Sequence, residues 1–481
     1  GGEIDFNMAS GHVHYYIGSS DKYTSLYTVT QDPASGGYIG CALLDFENGK
    51  TFTGVFSLGG LTSGVFTKGR LIEFDDGTGT GQRGSGLLLQ QNIGTATLGK
   101  NYAWSVDGED FGLAHYVASG SFTVTIDDPG CLAPIVTTAS ISSAFTDAND
   151  AGTMSGELTG GSGMFGGSAT GCGISGDDGN IGNGVTLTAG TSAAGTPYTY
   201  NLAAYAVDSS RIFVVNTDKF AASSYPTSQG VPIVSGQMFA TASSFSQSSL
   251  SGNYIFQLTG NPSGLDTDTR TTLGIVNLTS GAFTGNIEQY DQTNGFKTSN
   301  VPAAAGATYS VGTGSGRVAL TIPGEPNAPL FYLVSPAVGG VSAVFVGQGA
   351  RAESGMAAAG PSGNVNVNSL AGNYFSGTAN PGDNTVSDEI DVVKIAASGS
   401  ITGVSYTSGQ GGLKPDSAIS GDTLACANTI GGDAAPGACA ISSTGNPTQF
   451  FPMVTNGTLA FAFKYNTSSP ASPVIYVFEP Q

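Results

Sequence analysis

His12-Val13-His14 sets two imidazoles two residues apart. Side chains alternate along a strand, so both rings would share one face and, with a nearby carboxylate, could hold a transition metal. Two histidines on a solvated strand are the plainer reading. His115, the remaining one of 3 histidines, is expected to be structural. A second candidate is the Gly-rich acidic loop Asp177-Asp178-Gly179-Asn180. Oxygen side chains this close in a tight turn can coordinate calcium, and Asp177, Asp178 and Asn180 would be the ligands. No Glu follows at the twelfth position of an EF-hand, so turn chemistry competes, with Asp and Asn bonding their own backbone. Asp147-Ala148-Asn149-Asp150 and Asp266-Thr267-Asp268 are weaker versions of the same signal. No other cofactor is called for.

Catalysis is not expected. The chain lacks a Gly-x-Ser-x-Gly elbow, and 3 histidines leave few bases to activate a nucleophile. Paired carboxylates for sugar cleavage meet only in space, and Glu73, Asp75 and Glu288 are candidates without a supporting pattern. No phosphate loop or Cys-x-x-Cys site occurs. The 5 cysteines suggest an oxidising compartment. Spacing predicts two local disulfides, Cys131–Cys172 and Cys426–Cys439, with Cys41 left over.

Composition narrows the function classes. Charged residues make up 10%, and the formal net charge is -20. Such a surface repels phosphate backbones and anionic lipid, so nucleic-acid binding is disfavoured. No apolar run is long enough for a membrane-spanning helix, so no membrane insertion is expected. The 74 glycines, with Ser, Thr, Asn and Gln supplying polar surface, point to many short strands and turns. The single Trp, Trp104, is expected in a core, although exposed aromatics could stack on a glycan.

The elements that position these residues recur. Leu-x-x-Asn-Tyr opens at Leu98, Leu250 and Leu370. A hydrophobic hairpin follows as Tyr198–Val207 with Arg211–Asn216, Leu330–Ser335 with Val341–Val346, and Leu459–Tyr465 with Val474–Phe478. Ser-Gly and an apolar run then mark a closing strand at Ser85, Ser235 and Ser354. Helical periodicity is almost absent. The fold class is therefore all-β, in tandem antiparallel β-barrel or β-sandwich repeats. The repeats are read as 1–92, lacking opening strands; 93–245, with a long insertion; 246–360; and 361–481, lacking a closing strand.

Gly1-Gly2-Glu3-Ile4-Asp5-Phe6-Asn7, Arg70-Leu71-Ile72-Glu73-Phe74-Asp75 and Gly84-Ser85-Gly86-Leu87 resemble the repeats of a family of secreted bacterial β proteins with no assigned activity. The match is close in residues 1–91 and looser beyond. The resemblance implies a secreted, surface-exposed β protein and brings no catalytic residues.

Two functions compete. The first is a structural subunit of a cell-surface fibre, filament or coat, a homopolymer joined head to tail because the two end repeats carry different defects. The second is a secreted module that binds a glycan or a small apolar ligand, which requires an aromatic platform or a deep apolar cavity in one repeat.

Overall fold

In a computed structural model the chain is built of strands, antiparallel except for the short parallel pair Pro134–Ile135 with Cys172–Gly173, with two short 3-10 turns as its helical elements among the described residues. The structure describes residues 2–7, 12–17, 20–46, 50–78, 84–91, 101–109, 115–126, 134–135, 139–150, 155–159, 162–165, 172–173, 185–189, 198–216, 233–261, 269–291, 293–302, 305–348, 351–379, 387–409, 411–445, 449–466 and 474–481. At 2–26, 44–52 and 124–201 it describes backbone alone. The expected all-β repeat architecture is what the chain adopts.

The third sheet, Gly252 to Ala359, shows the repeat's logic. Its opening strand Gly252–Asn261 pairs on one side with Arg270–Thr279 and on the other with the closing strand Ala352–Ala359. Arg270–Thr279 in turn pairs with Ala282–Asp291, which completes a closed ring of eight strands. The strand Gly295–Val301 hangs on the outside of Ala282–Asp291. The second sheet, Asn101 to Thr241, has the same strand order and the same return pairing, from His115–Ile126 to Ala139–Asp150.

The fourth sheet is a closed eight-stranded barrel. Its opening strand Gly372–Thr378 pairs with the last strand, Val474–Pro480. The expectation that this repeat lacks a closing strand is therefore wrong. Val474–Phe478 is the closing strand, not the second half of the hairpin that precedes one. The hairpin is formed by Gln449–Thr455 and Ala460–Asn466. Pro452 obscures the first of these, because a proline reads against a central strand. The ladder to Ala460–Asn466 accommodates it by skipping from Phe450 to Met453.

The first sheet runs in sequence order from Gly2–Asn7 to Ser85–Leu89. Among the described residues its two end strands do not pair with each other.

The opening motif does the same job in the two repeats where its surroundings are described. A 3-10 turn, Gln247–Ser249 or Val367–Leu370, delivers Leu250 or Leu370 to the barrel core. Asn253 and Asn373 accept through their carbonyls from Gly360 and Gln481, the residues just past each closing strand. Tyr254 and Tyr374 pack with the barrel interiors.

Each barrel buries both faces. In the fourth, Tyr374, Val393, Ala462 and Tyr476 point inward, while their neighbours Phe375, Val392, Phe461 and Val477 point outward and are also buried. The outward set packs on two other repeats. Phe461, Phe463 and Ile475 meet Ile255, Ile275 and Tyr290 of the third. Phe375, Ile390 and Val392 meet Ile39, Val55 and Ile72 of the first. Each such side chain contributes about 1.5–3 kcal/mol when fully buried, so docking shares the core between repeats. Gly59 is needed at the first of these contacts, where a Cβ would lie 2.2 Å from the Phe375 ring. The second repeat docks on the third, with Ala103 and Phe239 against Tyr332 and Val344.

Candidate functional site

The fourth barrel encloses a cavity of ≈ 100 Å³. Its wall is mainly aliphatic and aromatic, with Leu370, Ile401, Met453 and Phe478 among the lining side chains. Into this apolar space the strand Asp388–Ile395 projects two carboxyls, Glu389 and Asp391. Strand period sets both on the inward face with Val393 and Ile395.

The polar contacts of the pair are specific. Ser376 Oγ donates to Asp391 Oδ2 at 2.5 Å. Ser405 Oγ donates to Glu389 Oε1 at 2.9 Å, and Tyr476 Oη donates to Glu389 Oε2 at 3.0 Å. Asp391 Oδ1 is buried and accepts no hydrogen bond. Burial, and then the adjoining Glu389 charge, push the Asp391 carboxyl well above the usual carboxylate range. Burial and the same two carboxyls push the Tyr476 phenol well above its own. Among the described residues no Lys or Arg lines the cavity. This is an acidic pocket in apolar walls, with Asp391 Oδ1 lacking a donor among the described residues, and its chemistry is to accept hydrogen bonds from a small partner.

Neither carboxylate stood out in the sequence. Asp-Glu-Ile-Asp-Val-Val-Lys-Ile has period-2 carboxylates, but apolar residues occupy both alternating sets, as a strand buried on two faces requires. The pattern does not say which set points into the barrel.

The sequence candidates are dispersed. Glu73 and Asp75 lie where the first repeat meets the fourth. Burial, then Asp75, Asp388 and Asp76, push the Glu73 carboxyl up to about 7. Glu288 faces the seam between the third and fourth barrels, where burial pushes it up to about 7 as well. The three do not converge on one site.

Trp104 is fully buried. His115 is buried, and its Nδ1 lies 2.8 Å from the Ala352 carbonyl of the third repeat's closing strand. His12 and His14 lie on one strand, opposite Asn7 and Asp5 in register, with their side chains outside the described residues. The calcium candidates Asp177, Asp178 and Asn180 also lie outside them, as does the Cys131–Cys172 pairing. Among the described residues no cluster of three His, Cys, Asp or Glu could hold a metal ion.

Cys426 and Cys439 form a disulfide, with S–S 2.06 Å, and Cys41 is a free, half-buried thiol. The disulfide staples a loop whose small hairpin, Thr429–Ile430 with Asp433–Ala434, presses on the third barrel. Ile430 enters the shared core there, and Asn286 Nδ2 donates to the Ala434 carbonyl at 2.9 Å. Among the described residues no helix is long and apolar enough to cross a membrane.

No family model matches the chain. A search of curated proteins finds no relative either. The functional reading rests on the geometry.

Proposed function

We propose that this is a secreted, non-enzymatic binding protein whose fourth barrel takes up a small molecule in its interior, the other repeats serving as a rigid support. The observation that carries this reading is the cavity itself, a mainly apolar chamber with a few polar groups, Glu389 and Asp391 foremost, the usual composition of a small-molecule site. An apolar cavity of about 150 Å³ accommodates benzene, so the occupant here is of that size or smaller. The Cys426–Cys439 disulfide and the weakly charged acidic surface support an extracellular setting.

Xenon tests this reading. Crystals of the full chain under xenon pressure should bind the gas inside the fourth barrel, and Met453→Trp, which fills the chamber, should abolish the peak. A wild-type barrel that takes up no xenon contradicts the reading.

A second reading is self-association at a cell surface, and the open first sheet favours it. Edges that pair with no further strand among the described residues, Gly2–Asn7 and Ser85–Leu89, invite strand addition. The closed fourth barrel offers no matching gap, so the contact joins first sheets to each other rather than head to tail. Light scattering across a concentration series, with and without Leu87→Lys, distinguishes a monomer from such an assembly.

A further inference from the structure

We propose that the occupant of the fourth barrel is a small primary amine, its ammonium seated against Asp391 and Glu389. This rests on the reading of that barrel as a ligand site and adds the chemistry of the ligand.

The argument begins with a mismatch. Two carboxyls stand side by side in a mainly apolar interior, a third, Asp422, lines the same chamber, and among the described residues no Lys or Arg lines it to balance them. Buried carboxylates are ordinarily paired, because an isolated buried charge is costly. Three hydroxyls, from Ser376, Ser405 and Tyr476, take up three of the four carboxyl oxygens. The fourth, Asp391 Oδ1, is left without a donor although its residue is only 4% exposed.

A primary ammonium matches this arrangement. It is a compact cation with three N–H donors, so one can fill Asp391 Oδ1 while the others turn to Glu389 and Tyr476 Oη. Its short hydrocarbon body would lie against Ile401, Met453 and Phe478. An anion is excluded by like charge. A bare divalent cation would need six or more oxygens gathered around it, and among the described residues no three His, Cys, Asp or Glu converge to hold one.

Protonation follows from the same geometry. The titratable groups that line the chamber with Asp391 are Glu389 on its own strand, Tyr374 on the adjoining opening strand, Tyr476 on the closing strand and Asp422 on the strand Gly412–Ala425. Burial and the adjoining Glu389 charge both raise the Asp391 carboxyl above the usual carboxylate range, which disfavours its ionised form until a cation arrives. A bound ammonium stabilises the ionised form, so the Asp391 proton passes to solvent as the amine enters already protonated.

The test is calorimetric titration of the full chain at pH 7 with butylamine, butan-1-ol and butyrate, three probes of one shape. Butylamine should bind at least tenfold tighter than butan-1-ol, and butyrate should not bind. The butylamine heat should differ between phosphate and Tris, reporting proton release. Asp391→Asn should erase the preference for the amine while leaving butan-1-ol binding in place, and Glu389→Gln gives the same reading should the first variant fail to fold. Equal binding of amine and alcohol, or preference for butyrate, overturns the amine and leaves the ligand site standing. Failure of all three probes overturns both. Calcium chloride that binds alone, in a manner lost in Asp391→Asn, with no response to butylamine, overturns the amine in favour of a metal site.

Discussion

Asp391 and Glu389 lie two residues apart on one strand and face the same chamber, but only Glu389 has both oxygens hydrogen-bonded. The raised Asp391 carboxyl stabilises the fold fully below its unfolded value of about 3.9, and that contribution is lost as pH rises through its folded value. Asn keeps the hydrogen bond from Ser376 without the charge. Asp391→Asn should therefore be more stable than the wild type at pH 8, by about 1–3 kcal/mol, and lose that advantage at pH 4. Urea unfolding at the two pH values measures this. A variant less stable than the wild type at pH 8 would show that the charge is already compensated.

Glu288 acts at the seam between the third and fourth barrels with the same sign. Its carboxyl, pushed up to about 7 by burial, stabilises the seam fully below about 4.3 and loses that contribution as pH rises through about 7. Glu288→Gln should flatten this part of the stability–pH curve. Thermal melts of both proteins between pH 4 and 8 provide the comparison, and parallel curves would rule Glu288 out as a source of the slope.

These carboxyls show what was legible in the chain. Leu370 and Tyr374 could be read as an opening strand because the motif recurs with its packing role intact. Cys426–Cys439 could be read because the two residues bracket one short loop. The closing strand of the fourth repeat reads as a hairpin strand for a local reason: Pro452 disguises Gln449–Thr455, the first strand of the true hairpin, which shifts the two later strands by one place. The pocket was hidden for a tertiary reason. Docking buries the outer faces of the barrels, so Ile390 and Val392 are as apolar as Val393 and Ile395, and the alternation that would reveal an inward carboxylate disappears.

Glu479 joins the closing strand of the fourth barrel to the first repeat, 2.7 Å from Lys68 Nζ and 2.9 Å from Arg70 Nη2. Burial pushes this carboxyl up, but Arg70 and Lys68 together outweigh it and hold it below the usual range. Its contribution is present above the unfolded value and lost as pH falls through the folded one. Glu479→Gln should loosen the first repeat by about 1–3 kcal/mol, less than for a fully buried pair because Lys68 is 27% exposed. Limited proteolysis would show faster cleavage within residues 53–89, with the fourth barrel intact. Unchanged cleavage would mean that the apolar contact around Phe375 suffices.

The Cys426–Cys439 disulfide closes a loop of sequence separation 13. Replacing both cysteines by Ala should cost about 3 kcal/mol through the entropy returned to the unfolded chain. The hairpin in that loop bears on the third barrel, so hydrogen exchange should also rise at Ile430 and at Asn286 across the seam. Exchange confined to the loop would show that the hairpin holds its place without the staple.

The most direct measurement is a crystal structure of the full chain grown with butylamine. The account predicts the amine inside the fourth barrel, its nitrogen within about 2.7–3.0 Å of Asp391 Oδ1 and its carbon chain against Met453 and Phe478. A chamber holding only water, or an amine bound elsewhere with Asp391 Oδ1 untouched, would contradict it.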